Sequence, residues 1–264
     1  MKGKQLIVQS DPWQALRSVT DARIALGRTG VSIPLAESLA FKLAHANARD
    51  AVYNLLDKEL LIEGIQKLQH PLLLLFSAAA NRQQYLQRPD YGRRLNGDSI
   101  KIMEQEKADN PYDICISITD GLSATAVNNH AMQLLFLLMP LLKNAGFSIA
   151  PVCIIEQGRV AISDQTGQLS PASLSLILLG ERPGLSSPDS LGAYLTFNPK
   201  PGNTDVLRNC ISNIRPGGLS FELAAQKIFL LIKESLRLKL SGIQLKDESA
   251  PSLPFTQTKS TGLL

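Results

Sequence analysis

Apolar positions fall into two regimes along the chain. Up to about residue 105 they recur mostly at helical spacing, and beyond it short β-branched runs alternate with long helical ones. Asp11 followed by Pro12 reads as an N-cap and a favoured first helical residue, and predicts a helix to about Ala25 with Gly27 and Gly30 as stops. Ser32 and Pro34 start a second helix, SIPLAESLAFKLAHANARDAVYNLL. Pro71 opens a third, LLLLFSAAANRQQYLQ, and the polar turn RPDYGRRLNGDS (88–99) follows.

From about residue 110 the pattern changes. YDICISIT (112–119) is a short β-branched run that ends at Asp120-Gly121, and a helix from about Ala124 to Ala145 follows. GFSIAPVCII (146–155) predicts a strand, GRVAIS (158–163) a short strand or hairpin arm, SLSLILL a central strand and AYLTFNP (193–199) a fourth. A last helix from Ser220 to about Leu240 places Phe221, Ala224, Ala225, Ile228, Leu231, Ile232 and Leu238 on one face. Strands alternating with helices predict an α/β fold, Rossmann-like, with a mostly parallel sheet behind a helical N-terminal segment. The implied division is 1–105 helical, 106–244 the sheet domain, and 245–264 a polar tail that is expected to fray.

Composition narrows the function classes. The 264 residues can bury a real core, and 44% hydrophobic with 19% charged residues reads as globular. A net charge of +4 is mild, and Lys and Arg are scattered, which gives little support to nucleic-acid binding. Three widely spaced cysteines and no apolar leader point to reduced thiols in the cytoplasm. The longest apolar stretch, AMQLLFLLMPLL (131–142), is too short to span a bilayer and reads as a buried helix.

Ligands of open α/β sheets sit at the carboxyl ends of strands. Three polar segments fall there: Asp120-Gly121-Leu122-Ser123, Gly180-Glu181-Arg182-Pro183-Gly184, and a loop around Cys210-Ile211-Ser212-Asn213. Ser123 sits between strand and helix as a nucleophile elbow does, but Thr125 stands where the elbow needs glycine. The one later histidine, His130, lies on the same helix, so Ser123 reads first as a helix cap. Histidine and cysteine spacings match no zinc pattern, and no P-loop or G-x-G-x-x-G is present. The Arg pair of YGRRL is either a surface cluster or an anion or partner contact. Glu181 and Arg182, adjacent at a strand end, should point apart, and Cys210 reads as a small buried hydrophobe. No catalytic acid–base pair stands out.

Five motifs in order, RPDYGRRL, ITDGLSATAV, QGRVAISDQTG, LLGERPGL and CISNIRPGG, closely resemble the small (light) subunit of ethanolamine ammonia-lyase, from about Leu16 to Gly242. The resemblance implies an adenosylcobalamin-dependent radical lyase that converts ethanolamine to acetaldehyde and ammonia. It further implies a hetero-oligomer whose large subunit, a TIM barrel, holds the substrate, with the cofactor between the two chains. The missing catalytic set would then lie on that partner. By the same resemblance Glu181 of the GER motif, Val160 of GRV and Cys210 of CISN contact the cobalamin. Position alone adds Asp120, Gly121 and Ser123. The family is cytoplasmic, and many members are packaged into a bacterial microcompartment through an N-terminal extension longer than the ten or so residues that precede the first predicted helix here. The alternatives are a stand-alone hydrolase using Ser123 and a cobalamin-binding scaffold without turnover.

Overall fold

The computed structural model describes residues 7–106 and 110–245. Most of the expected tail, from residue 246 onward, lies outside the described residues. The helices are α1 (Leu35–Tyr53), α2 (Lys58–Lys67), α3 (Arg82–Gln87), α4 (Gly97–Gln105), α5 (Ala124–Asn144), α6 (Ile162–Leu169) and α7 (Phe221–Leu238). The strands are β1 (Leu72–Phe76), β2 (Tyr112–Thr119), β3 (Val152–Glu156), β4 (Ala172–Gly180), β5 (Leu191–Phe197) and β6 (Arg208–Ile214). Among the described residues no helix is long and apolar enough to cross a membrane.

The six strands form one sheet in the order β1-β3-β2-β4-β5-β6. Pairs β1/β3, β3/β2 and β2/β4 are parallel, whereas β4/β5 and β5/β6 are antiparallel. The sheet is therefore mixed, which corrects the mostly parallel sheet expected from the strand–helix alternation. Connection length is the physical reason. The link 181–190 between β4 and β5 carries no helix and is shorter than a crossover needs, so β5 must return beside β4.

Several expected elements also change. The helix predicted from Asp11 is reduced to a 3₁₀ turn at Gln14–Ser18. LLLLF, expected to open a helix at Pro71, is strand β1. A short apolar run has no periodicity to separate the two states, and pairing with β3 decides it. GRVAIS is no hairpin arm: it is a turn leading into α6. The strand expected over 146–155 is confined to Val152–Glu156. The stretch around Cys210, expected as a loop, is inside strand β6.

Alternation along the strands divides the core. Ile114, Ile116, Ile118, Leu174, Leu176 and Leu178 pack under α2, α5 and α7, while Cys115, Cys153, Ile155, Ile177 and Leu179 pack against Met103 of α4 and Ile162 of α6. Helix α5 carries Pro140 in its interior, a defect worth about 3 kcal/mol. Eleven of its residues are buried, and at ~1.5–3 kcal/mol for each large apolar side chain that packing outweighs the defect. Helix α1 is the opposite case: Ala51 is its single buried residue, and Leu35, Leu39 and Leu43 are 73%, 54% and 63% exposed.

Candidate functional site

Strand order reverses around β2: β3 lies on one side of it and β4 on the other. The turns leaving β2, β3 and β4 therefore splay apart and open a crevice at their carboxyl ends. A cavity of ≈ 1010 Å³ occupies this region and continues along the α6 side of the sheet. Its wall takes Leu122 from the β2–α5 turn, Arg159, Val160 and Ala161 from the β3–α6 turn, and Gly180, Glu181 and Arg182 from the end of β4. Tyr194 of β5 and Asp164 of α6 line it further along, and Arg93 and Arg94 reach it from the YGRR turn.

The β4 end is built to hold one carboxylate. The Glu181 backbone N–H donates to Ser190 O at 2.9 Å, the Ser190 hydroxyl donates to Glu181 Oε2 at 2.5 Å, and the Asn213 N–H donates to the same oxygen at 3.1 Å. Asn213 supplies that N–H from a left-handed conformation (φ +58°), next to a β-bulge that shifts the register of β6 against β5. Gly192 leaves the room that Glu181 and Tyr194 occupy, since a Cβ there would stand 3.0 Å from Glu181 Oε1 and from the Tyr194 ring. Among the described residues no donor meets Glu181 Oε1, so this oxygen keeps its accepting capacity at the cavity wall.

Tyr194 lies directly opposite Cys210 on the antiparallel neighbour, on the same face of the sheet. Desolvation pushes the Cys210 thiol up, a hydrogen bond with Tyr194 opposes the rise, and the charge of Glu181 adds to it. The tyrosine hydroxyl is raised as well, first by burial and then by Cys210 and Glu181. The three side chains thus form one electrostatic neighbourhood. Cys210 is exposed, which corrects its reading as a buried hydrophobe.

The β3–α6 turn is held by arginine and tyrosine. Arg159 stacks on the buried Tyr85 ring at 4.4 Å, its N–H donates to Gly92 O at 2.7 Å, and Nη2 donates to Tyr85 O at 3.2 Å. Its Nε is buried with no partner among the described residues, an unsatisfied donor in the cavity wall. Arg82 stacks on the same ring at 4.7 Å.

Asp120, Gly121 and Ser123 stand behind the wall, outside its lining. Asp120 is 2% exposed, with Oδ2 at 3.2 Å from Arg82 Nη1. Gly121 adopts φ +54° and packs on the Gly180 carbonyl so closely that a Cβ would overlap it. Ser123 caps α5, accepting from the Ala126 N–H at 3.2 Å and donating to Pro188 O at 2.8 Å. Of the six residues expected at the site, Val160 and Glu181 line the cavity, Cys210 adjoins it through Tyr194, and Asp120, Gly121 and Ser123 support it from behind. Tyr85, Arg159 and Tyr194 were not singled out in the sequence. Tyr85 and Tyr194 lie in runs whose pattern signals only a helix or a strand, and nothing local to QGRV marks Arg159 as stacking on a distant tyrosine.

Comparison with known proteins agrees with the motifs. The ethanolamine ammonia-lyase light chain family matches residues 10–246. The ethanolamine ammonia-lyase small subunit of Azotobacter vinelandii is 51% identical over 241 residues, covering 90% of this chain and 89% of that one. The small subunit from Pseudomonas putida W619 is 49% identical over 248 residues, covering 93% and 91%. With a match that spans nearly the whole described fold, the chain belongs to the ethanolamine ammonia-lyase small-subunit family, part of a lyase enzyme.

Proposed function

We propose that this chain forms one wall of an adenosylcobalamin site in a two-chain ethanolamine ammonia-lyase, with the substrate held by the large subunit. The observation that carries the reading is the cavity. At ≈ 1010 Å³ it sits at the top of the usual ligand-pocket range of about 300–1,000 Å³, far beyond the needs of a small amino alcohol. Its donor set also suits the cofactor: Arg93, Arg94, Arg159 and Arg182 can meet a phosphate, and Glu181 can accept from amide or hydroxyl groups. When bound, the cofactor supplies a carbon radical from its cobalt–carbon bond, chemistry that asks no acid–base pair of this chain.

The residues here bind and orient. Val160 gives apolar contact from the β3–α6 turn. Glu181 offers Oε1 while Ser190 and Asn213 fix Oε2, so the carboxylate is positioned before the ligand arrives. Cys210 and Tyr194 extend the floor. No step of the conversion to acetaldehyde and ammonia is assigned to a side chain of this subunit.

Two measurements test the reading. Acetaldehyde release from ethanolamine and adenosylcobalamin is expected from the two chains together and from neither alone. Glu181→Ala in the assembled enzyme is expected to raise the cofactor dissociation constant about tenfold, since a hydrogen bond to a charged group is worth ~1.5–3 kcal/mol. Full activity of the large chain alone, or unchanged cofactor affinity in the variant, would overturn it.

A further inference from the structure

The segment 181–190 joins β4 to β5 and is tied to α5 at two places. At the first, the Ser123 hydroxyl donates to Pro188 O at 2.8 Å. Two turns further along the helix, His130 Nε2 stands 2.8 Å from Asp189 Oδ2. The next residue is Ser190, whose hydroxyl and carbonyl hold the Glu181 side chain and backbone. Pro188, Asp189 and Ser190 thus run without a break from α5 to the Glu181 carboxylate in the cavity wall.

His130 is not a packing residue by its chemistry. It is 5% exposed and its ring lies 5.4 Å from that of Phe221 on α7, so it is enclosed beside Asp189. With the Asp189 carboxylate as acceptor, Nε2–H is the donor of this bond. Nδ1 is then a buried nitrogen with no partner among the described residues. A buried unsatisfied nitrogen costs stability, and a leucine would fill the same space without it. The ring supplies what leucine cannot, a donor aimed at Asp189.

We propose that the His130–Asp189 pair is a latch that sets the position of Ser190, and through it the Glu181 carboxylate, making both positioning residues for the cofactor. The inference rests on the reading of Glu181 as a cofactor contact. Asp189 is the better site to test, because its side chain is 28% exposed and its loss opens no core cavity.

The test uses the assembled two-chain enzyme and hydroxocobalamin binding by equilibrium dialysis, a readout independent of turnover. Asp189→Ala and His130→Leu are each expected to weaken binding by about tenfold, whereas His130→Gln, which keeps a donor at similar reach, stays within about twofold. In a Glu181→Ala background Asp189→Ala should add nothing, because both changes break one chain of contacts. Wild-type binding by Asp189→Ala, beside weakened binding by Glu181→Ala, overturns the latch and leaves the cofactor reading intact. Additive losses in the double variant overturn it too, since the effect would then bypass Glu181. Wild-type binding by Glu181→Ala removes the cofactor reading itself.

Discussion

Asp120 follows the last residue of β2, with its carboxylate among Arg82, Thr119 and the N–H groups of Gln157 and Gly158. Burial pushes its carboxyl up to about 6, against the pull of the Arg82 guanidinium. A raised carboxyl means that the folded chain holds the proton more tightly than the unfolded one. The stability it contributes is therefore full below about pH 4 and falls as pH rises to about 6. Asp120→Asn should flatten that part of the pH profile, as seen in unfolding midpoints of the assembled enzyme between about pH 4.5 and 7. An equal slope in the variant would assign the effect to other groups. At this scale the sequence is legible where chemistry is local. Glu181 stands out because Gly and Pro flank a fixed charge, and Ser123 reads as a cap, which it is. Tyr194 could not be found so, because its place on the wall depends on which face of β5 looks toward α6, and that follows only from the register with β4.

Elements with clear periodicity were the readable ones. YDICISIT is β2 residue for residue, and the long apolar helix is α5 within a residue at its end. The failures were segments whose state is set by neighbours. Strand β1 is an edge strand whose unbroken run LLLLF has no alternation and is fixed as a strand by pairing with β3, and β6 is the opposite edge strand, whose polar face imitates a loop. One cross-element clasp was equally invisible. Arg208 on β6 donates to both carboxylate oxygens of Asp164 on α6, at 2.6 and 2.7 Å, with the pair 3% and 1% exposed. Removing one partner of such a buried pair leaves an uncompensated charge. Arg208→Met is expected to cost about 3–5 kcal/mol in denaturant unfolding, and Asp164→Leu added to it should recover part of the loss. A cost under about 1 kcal/mol would show that water reaches the site and screens the pair.

For the whole molecule, α1 meets the sheet layers at its C-terminal end, where Ala51 is buried and the Val52 carbonyl accepts from Arg82 Nε at 2.6 Å. A helix held by tertiary packing should bury a stripe, yet Leu35, Leu39 and Leu43 share an exposed one. Apolar surface of this extent on an unpaired chain favours self-association. Leu39→Glu with Leu43→Glu is expected to shift the isolated chain toward monomer in sedimentation velocity without changing its helical circular dichroism. An unchanged distribution would clear α1 of that role. A related exposure lies over β5 and β6, where Cys210 beside Tyr194 is open to solvent. A cleft left open on one flank is completed by whatever closes it. If the proposed cofactor fills that cleft and the large subunit closes it, two affinities cease to be separate properties. Any factor by which that chain tightens cofactor retention must return, by reciprocity, as the factor by which cofactor tightens the union of the chains. Scarcity of the cofactor would then loosen the enzyme into its parts, and abundance would hold it together.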